Sequence, residues 1–344
     1  MFLSLQSLRF VFAVVIFLHH LGVFEAGGSC GVSFFLVLSG FVMAKGYGGK
    51  VSASGFSFKH YMEKRLVRLY PLHLVCLLLA MVVHGVLYQA DVWGLWLLPN
   101  LPLLQAWIPS ASVYFSGNAV SWCLSDLLFC YAVFPFVWRR MSAVSPFSGY
   151  VGWWVCGFLV LYVVALCLVP EMCGNAFFYI FPLSRLWDFL LGMWCFRFYE
   201  EAMARGWLSR VRHAVVFEVL ALGLTVLACV LYSRVPANAG YALLFYVPAA
   251  LTVLVFAFSA TTGSVLSRML SAPLCCRLGE VSFTFYMVHQ LCILAGEACA
   301  GSWSVADSLW VRGPLYFVVS LCAAFLLQAV VEKPVARAWR QKRG

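Results

Sequence analysis

What most limits the fold is a succession of apolar segments, each close to the length that crosses a bilayer. They fall at 8–24, 29–46, 69–88, 119–138, 150–169, 176–198, 214–232, 241–259, 279–299 and 313–331. A membrane-spanning helix needs roughly 20 predominantly apolar residues. Only 10% of the chain is charged, where a soluble domain carries about a quarter. The fold class expected is therefore all-α: a polytopic integral membrane protein with about ten transmembrane helices. No internal repeat, low-complexity tract or soluble appendage interrupts the series, so residues 1–334 are expected to form one membrane domain and 335–344 a basic tail.

The net charge of +10 raises the question of nucleic acid, but the placement of the charges answers it differently. Lys45, Lys50, Lys59, Lys64, Arg65 and Arg68 share one loop region. Arg139 and Arg140, then Arg197, Arg205, Arg210 and Arg212, then Arg268 and Arg277, follow in alternate loops, and Lys333, Arg337, Arg340, Lys342 and Arg343 close the chain. Nineteen of the 23 basic residues thus fall on one side, against Arg234 and Arg312 on the other, with Arg9 and Arg185 inside helices. The positive-inside rule makes that side, with both termini, cytoplasmic. The basic charge is a topology signal with some anionic-lipid contact, and no nucleic-acid partner is expected.

None of the 14 cysteines forms a Cys-x-x-Cys pair or a Cys/His metal spacing, so no metal is expected. Cys30 and Cys173 lie near the outer face, and a disulfide between them is the less favoured reading. The first apolar run lacks a preceding basic region and carries Arg9, His19 and His20, unlike a cleaved signal peptide. It is expected to be retained as a helix.

That first run carries the sharpest chemical signal. Arg9 and His20 are eleven residues apart, which on a helix is almost three turns. They share a face, roughly 16 Å apart along the axis, while His19 points about 100° away. Ionisable groups in an apolar helix are costly and usually face a protein interior or a water-filled cavity. The second run continues with Gly31-Val32-Ser33-Phe34-Phe35-Leu36-Val37-Leu38-Ser39-Gly40-Phe41, where Ser39 and Gly40 permit close helix approach. Together these residues resemble the acyltransferase family 3 membrane O-acyltransferases, which modify bacterial sugars and other acceptors.

Five further runs extend the resemblance from Leu5 to Pro334. Arg65-Leu66-Val67-Arg68-Leu69-Tyr70-Pro71 is similar to the family's Arg-x-x-Arg signature. Alone it reads as a positive-inside anchor. Beside the other matches it reads as a grip for coenzyme A phosphates, since arginine forks bind phosphate bidentately. Ser121-Trp122-Cys123-Leu124-Ser125-Asp126 resembles a run whose glutamate falls at Leu127 here, the carboxylate standing one position earlier at Asp126. Phe181-Pro182-Leu183-Ser184-Arg185-Leu186-Trp187-Asp188 resembles another, with Asp188 for the family's glutamate. Arg185 and Asp188 at i, i+3 either neutralise each other or bind the acceptor. The run from Leu278 to His289, and then Glu332-Lys333-Pro334, complete the set.

The resemblance implies transfer of an acyl group, acetyl by default, from acyl-CoA to a hydroxyl of a cell-surface or lipid-linked glycan, with no tightly bound cofactor. Such a transfer needs a base for the hydroxyl proton and stabilisation of the tetrahedral intermediate. His20 is the candidate base, with His19 as fallback, and Arg9 faces the same tunnel. Arg9, Arg65 and Arg68 are the candidate donor site. Asp126, Arg185, Asp188, His289 and Ser39 are the candidate acceptor site, His289 being read equally as core packing. His60, His84 and His213 lie near helix ends or loops, and His73 one turn past Arg68; all four read as structural. In the long outer loop, Trp93, Trp96 and Trp107 suit an aromatic belt, with sugar stacking a further role. No activated Ser or Cys stands out, which favours direct transfer. Localisation follows as multi-pass, in the bacterial cytoplasmic membrane. Two other classes fit buried charges in a bundle: a small-molecule or proton-coupled transporter, and an inactive relative serving as a scaffold.

Overall fold

The computed structural model describes residues 2–90, 94–207, 214–300 and 308–341. Trp93, Arg210, Arg212, His213, Lys342 and Arg343 lie outside the described residues. Ten helices of 18 to 28 residues dominate the fold: α1 (Leu3–His20), α2 (Gly27–Ser52), α3 (Phe58–Val82), α4 (Trp122–Met141), α5 (Gly149–Leu168), α6 (Pro182–Ala204), α7 (Ala214–Leu231), α8 (Leu243–Thr262), α9 (Pro273–Ala300) and α10 (Leu309–Leu327). A short basic helix, α11 (Lys333–Gln341), follows α10. No strand occurs among the described residues. Eight of these elements are long and apolar enough to cross a membrane, and a bent pair makes a ninth.

The bend has a sequence cause. The sixth apolar segment, expected as one helix over 176–198, is broken at Phe181: the helical stretch Glu171–Ile180, π-helical over Asn175–Ile180, meets α6 at 46°. Pro182 opens α6 at its first position, where its missing N–H costs nothing, and it holds the preceding residue in an extended conformation. The third helix differs in the other direction. It starts at Phe58 rather than near 69, because the Ser57 hydroxyl accepts from the His60 amide at 3.3 Å and caps the new terminus. Arg65 and Arg68, expected on one face of a helix entering the membrane, therefore project from the body of α3.

At the centre, α2 packs against α1, α6, α4 and α8. The tightest crossing is reciprocal: a methyl on Gly40 would collide with the Phe189 carbonyl, and one on Gly192 with the Val37 carbonyl. Between apolar helices in lipid, association depends on such close backbone approach. On the other side, α1 runs along α9, with Gly279 seated against the Gln6 backbone and the Gln6 amide donating to the Cys276 carbonyl at 3.1 Å.

The long loop between α3 and α4 folds into the bundle rather than over it. Leu103 and Ala106 are buried in the main core. Asn100 bonds to Ser116, its carbonyl meets His73 at 2.9 Å, and Gln105 donates to Ser121. Trp107 packs edge-on against Phe129 and Phe181. The basic ends converge: Arg139 donates to the Val51 carbonyl, and His60 stacks on Trp339 of α11. The two outer-face cysteines do not pair. Cys30 is buried on α2 and Cys173 is exposed, and both are free thiols.

Candidate active site

Three arginines distant in sequence line one cavity of about 120 Å³: Arg9 from α1, Arg65 and Arg68 from α3. Helical phase puts them there, since Arg65 and Arg68 are three residues apart on one face of α3. Arg65 is held in place: its guanidinium donates to the Tyr47 hydroxyl and sits 4.4 Å from that ring. Tyr61 and Tyr131 flank it at 5.8 Å each, cation–π partners that orient without neutralising. Arg68 is exposed and Arg9 half-buried. Among the described residues neither makes an ion pair within 4.0 Å.

One carboxylate answers them at longer range. Glu332, at the end of a distorted turn over Gln328–Glu332, acts electrostatically on both Arg9 and Arg68. The sequence presented Glu332 only as the closing motif of the last helix. Its proximity to Arg9 depends on where α10 ends against α1, which no local pattern reports.

From the arginines the cavity runs past Ser39 of α2 toward Cys123 of α4 and Tyr286 of α9. Tyr286 is fixed by its hydroxyl bond to the Val120 carbonyl, 2.9 Å. One turn beyond Tyr286 on α9 is His289, wholly buried. His289 meets His20: Nδ1 of His20 lies 2.8 Å from Nε2 of His289. The Arg9–His20 stripe of α1 thus has its cation end in the cavity and its imidazole end against a second histidine. His19 packs against Gly27 and Gly28 at the start of α2, near Tyr179, with its ring edge-on to that of His20 at 5.3 Å.

Arg185, Asp188 and Asp126 form a separate group. Arg185 Nη1 pairs with the Asp188 carboxylate at 3.5 Å, and Nη2 donates to Ser33 at 3.2 Å. All three ionisable side chains are at 0% exposure. Asp126 interacts electrostatically with Arg185 and Asp188, and neither of its oxygens accepts a hydrogen bond. The offset between Asp126 and Leu127 now has a geometric meaning: Leu127 lines the arginine cavity, and Asp126, turned by about 100°, faces Arg185 instead.

A cavity lined by three arginines, with a hydrogen-bonded histidine pair one turn beyond Tyr286, combines anion-binding groups with a candidate base. Comparison with known proteins decides the class. A family model described as an acyltransferase domain matches residues 2–329. The chain belongs to acyltransferase family 3. It is also 30% identical to the acyltransferase MdmB of Streptomyces mycarofaciens, over 92% of this chain and 83% of that protein. No solved structure matches this family 3 chain.

Proposed function

We propose that this family 3 acyltransferase takes an acyl group, acetyl by the small size of the cavity, from coenzyme A thioester to a hydroxyl of a cell-surface or lipid-linked glycan. The carrying observation is that Arg9, Arg65 and Arg68 line one cavity while His20, on the Arg9 face of α1, contacts His289, which stands one turn beyond the cavity-lining Tyr286 on α9. Three arginines with no carboxylate within 4.0 Å among the described residues match the phosphates of coenzyme A. The pantetheine arm then extends past Ser39 toward Tyr286. His20 takes the proton from the acceptor hydroxyl as its oxygen attacks the thioester carbonyl.

The clustering of basic residues at the ends of α2, α3, α4 and α11 supports a cytoplasmic donor side, with both termini inside. The glycan hydroxyl reaches His20 from the opposite side of a bacterial cytoplasmic membrane. Direct transfer needs no acyl-enzyme, and Cys123 at the cavity end is enclosed beside Tyr286 with no histidine hydrogen-bonded to it among the described residues.

The test compares two neighbouring histidines at matched expression, reading acylation of surface glycans by mass spectrometry. His20→Ala is expected to lose about 10²–10⁴-fold in transfer rate and to keep binding coenzyme A. His19→Ala, whose ring faces α2, keeps substantial activity. A dead His19→Ala with an active His20→Ala would move the site off the Arg9 stripe.

A further inference from the structure

The contact between His20 and His289 specifies more than proximity. A hydrogen bond between two neutral imidazoles needs one N–H and one lone pair, and the second nitrogen of His289 determines which ring supplies which. Nδ1 of His289 lies 2.7 Å from the Tyr286 carbonyl oxygen and 3.3 Å from that of Phe285. Carbonyl oxygens only accept, so Nδ1 of His289 carries its proton and Nε2 is left with the lone pair. The proton between the rings then belongs to Nδ1 of His20. The Ile16 carbonyl, one turn back on α1, also acts on the His20 ring, and Nε2 of His20 is left as its unprotonated nitrogen.

The arrangement has little freedom to invert. His289 is completely buried, its ring parallel to Phe285 at 5.9 Å and edge-on to Phe17 at 6.2 Å. Turning the ring over would place carbon atoms against the Tyr286 carbonyl and against His20. No carboxylate among the described residues pairs with either imidazole, so nothing nearby compensates a doubly protonated His289.

We infer that His289 is a positioning residue: it accepts the Nδ1–H of His20 and so holds His20 in the one tautomer whose Nε2 can act as base. This rests on the acyl-transfer reading of His20. In that reading the acceptor O–H gives its proton to Nε2 of His20 while its oxygen bonds to the thioester carbonyl carbon. The tetrahedral intermediate collapses with cleavage of the C–S bond, and the departing thiolate takes the same proton from Nε2. Ester and coenzyme A thiol result, with no net proton change. Throughout, Nδ1–H stays on His20, and its bond to His289 strengthens while the ring is charged.

Three substitutions separate this role from packing. His289→Leu keeps an apolar side chain but removes the acceptor, and His289→Lys replaces it with a donor. Both should lower kcat by about 10²–10³-fold, within the range for losing a general base, with donor KM unchanged. His289→Gln offers its side-chain carbonyl oxygen at the reach of Nε2 and should restore kcat to within about tenfold of the parent. Equal loss in Gln and Leu variants that remain folded, or full activity in Leu, overturns the inference. A second measurement is independent of activity. ¹⁵N chemical shifts of labelled histidine in the intact protein should show His20 with a protonated Nδ1 and an imine-type Nε2, and the reverse assignment overturns it. If that signature holds while His20→Ala retains transfer, the acyl-transfer reading fails and the tautomer assignment stands.

Discussion

Arg185 and Arg68 are both arginines in an apolar bundle, yet the chain treats them oppositely. Arg185 is fully enclosed, paired with Asp188 and bonded to Ser33 and to the Tyr241 carbonyl. Arg68 is exposed at a cavity and shares it with two more arginines. A buried arginine whose charge is already met by a carboxylate is part of the scaffold, since a ligand would have to displace that partner. An arginine surrounded by like charge and open space raises the electrostatic energy of the empty protein, and an anion relieves it. On the proposed function, that difference favours a scaffold role for the first group and ligand binding for the second.

The strongest test of that contrast is stability. Removing one member of a buried pair strands the other, at about 3–5 kcal/mol, whereas replacing both with apolar residues of similar volume is often neutral or stabilising. Asp188→Leu alone should therefore lower the melting temperature in detergent sharply, and Arg185→Met with Asp188→Leu should recover most of the loss. If the double variant were stable but had lost acceptor acylation selectively, the pair would belong to the acceptor site after all.

The cavity arginines should respond in the reverse way. Arg65→Ala with Arg68→Ala removes like-charge repulsion from Arg9 and breaks no ion pair, so the melting temperature should hold or rise slightly. Binding of coenzyme A should weaken by about 10²-fold or more, since a hydrogen bond to a charged group contributes about 1.5–3 kcal/mol. Lys at both positions should recover only part of it, because an ammonium cannot fork onto phosphate. Unchanged coenzyme A affinity in the double Ala variant would reduce these residues to topology anchors.

A smaller effect is expected at Glu332, the carboxylate nearest the cavity cations. Without its charge, Arg9 and Arg68 lose their shared counter-charge and the empty cavity becomes more positive. Glu332→Gln should tighten coenzyme A binding by about threefold, a difference the size of a partly exposed ion-pair term. Salt titration checks the origin, since an electrostatic gain shrinks as ionic strength rises.

How far all this could be read from the sequence depended on the range of the signal. Helix phase is local, so the shared face of Arg9 and His20, the different facing of His19 and the Arg65/Arg68 face were legible from spacing alone. The Gly40 crossing was half legible: a small residue announces close approach, but its reciprocal partner Gly192 lies about 150 residues away. Pro182 at the helix break was visible as a residue and not as a 46° bend. The contacts of His20 with His289 and of Glu332 with Arg9 were not legible, because they are set by how α9 and α10 slide along α1. The outer loop misled for a related reason. Its tryptophans suit a membrane interface, and only the buried Leu103 and Ala106 show that the segment is core.

Asp126 is where the two regions come closest, and it carries the smallest predicted effect. It stands one residue from Leu127, which lines the arginine cavity, yet its carboxylate faces Arg185 and Asp188. A group that accepts no hydrogen bond has none to lose, and asparagine has nearly the same shape. Asp126→Asn should change stability by no more than about 1 kcal/mol, the net worth of one ordinary hydrogen bond, and leave coenzyme A affinity where it was. The same substitution also asks whether the displaced carboxylate does the chemical work of the glutamate found one position later in similar proteins. Loss of transfer in Asp126→Asn, at full stability and full donor binding, would show that it does. The contrast between a self-paired scaffold cluster and a ligand cavity would then have to be redrawn with Asp126 on the reactive side.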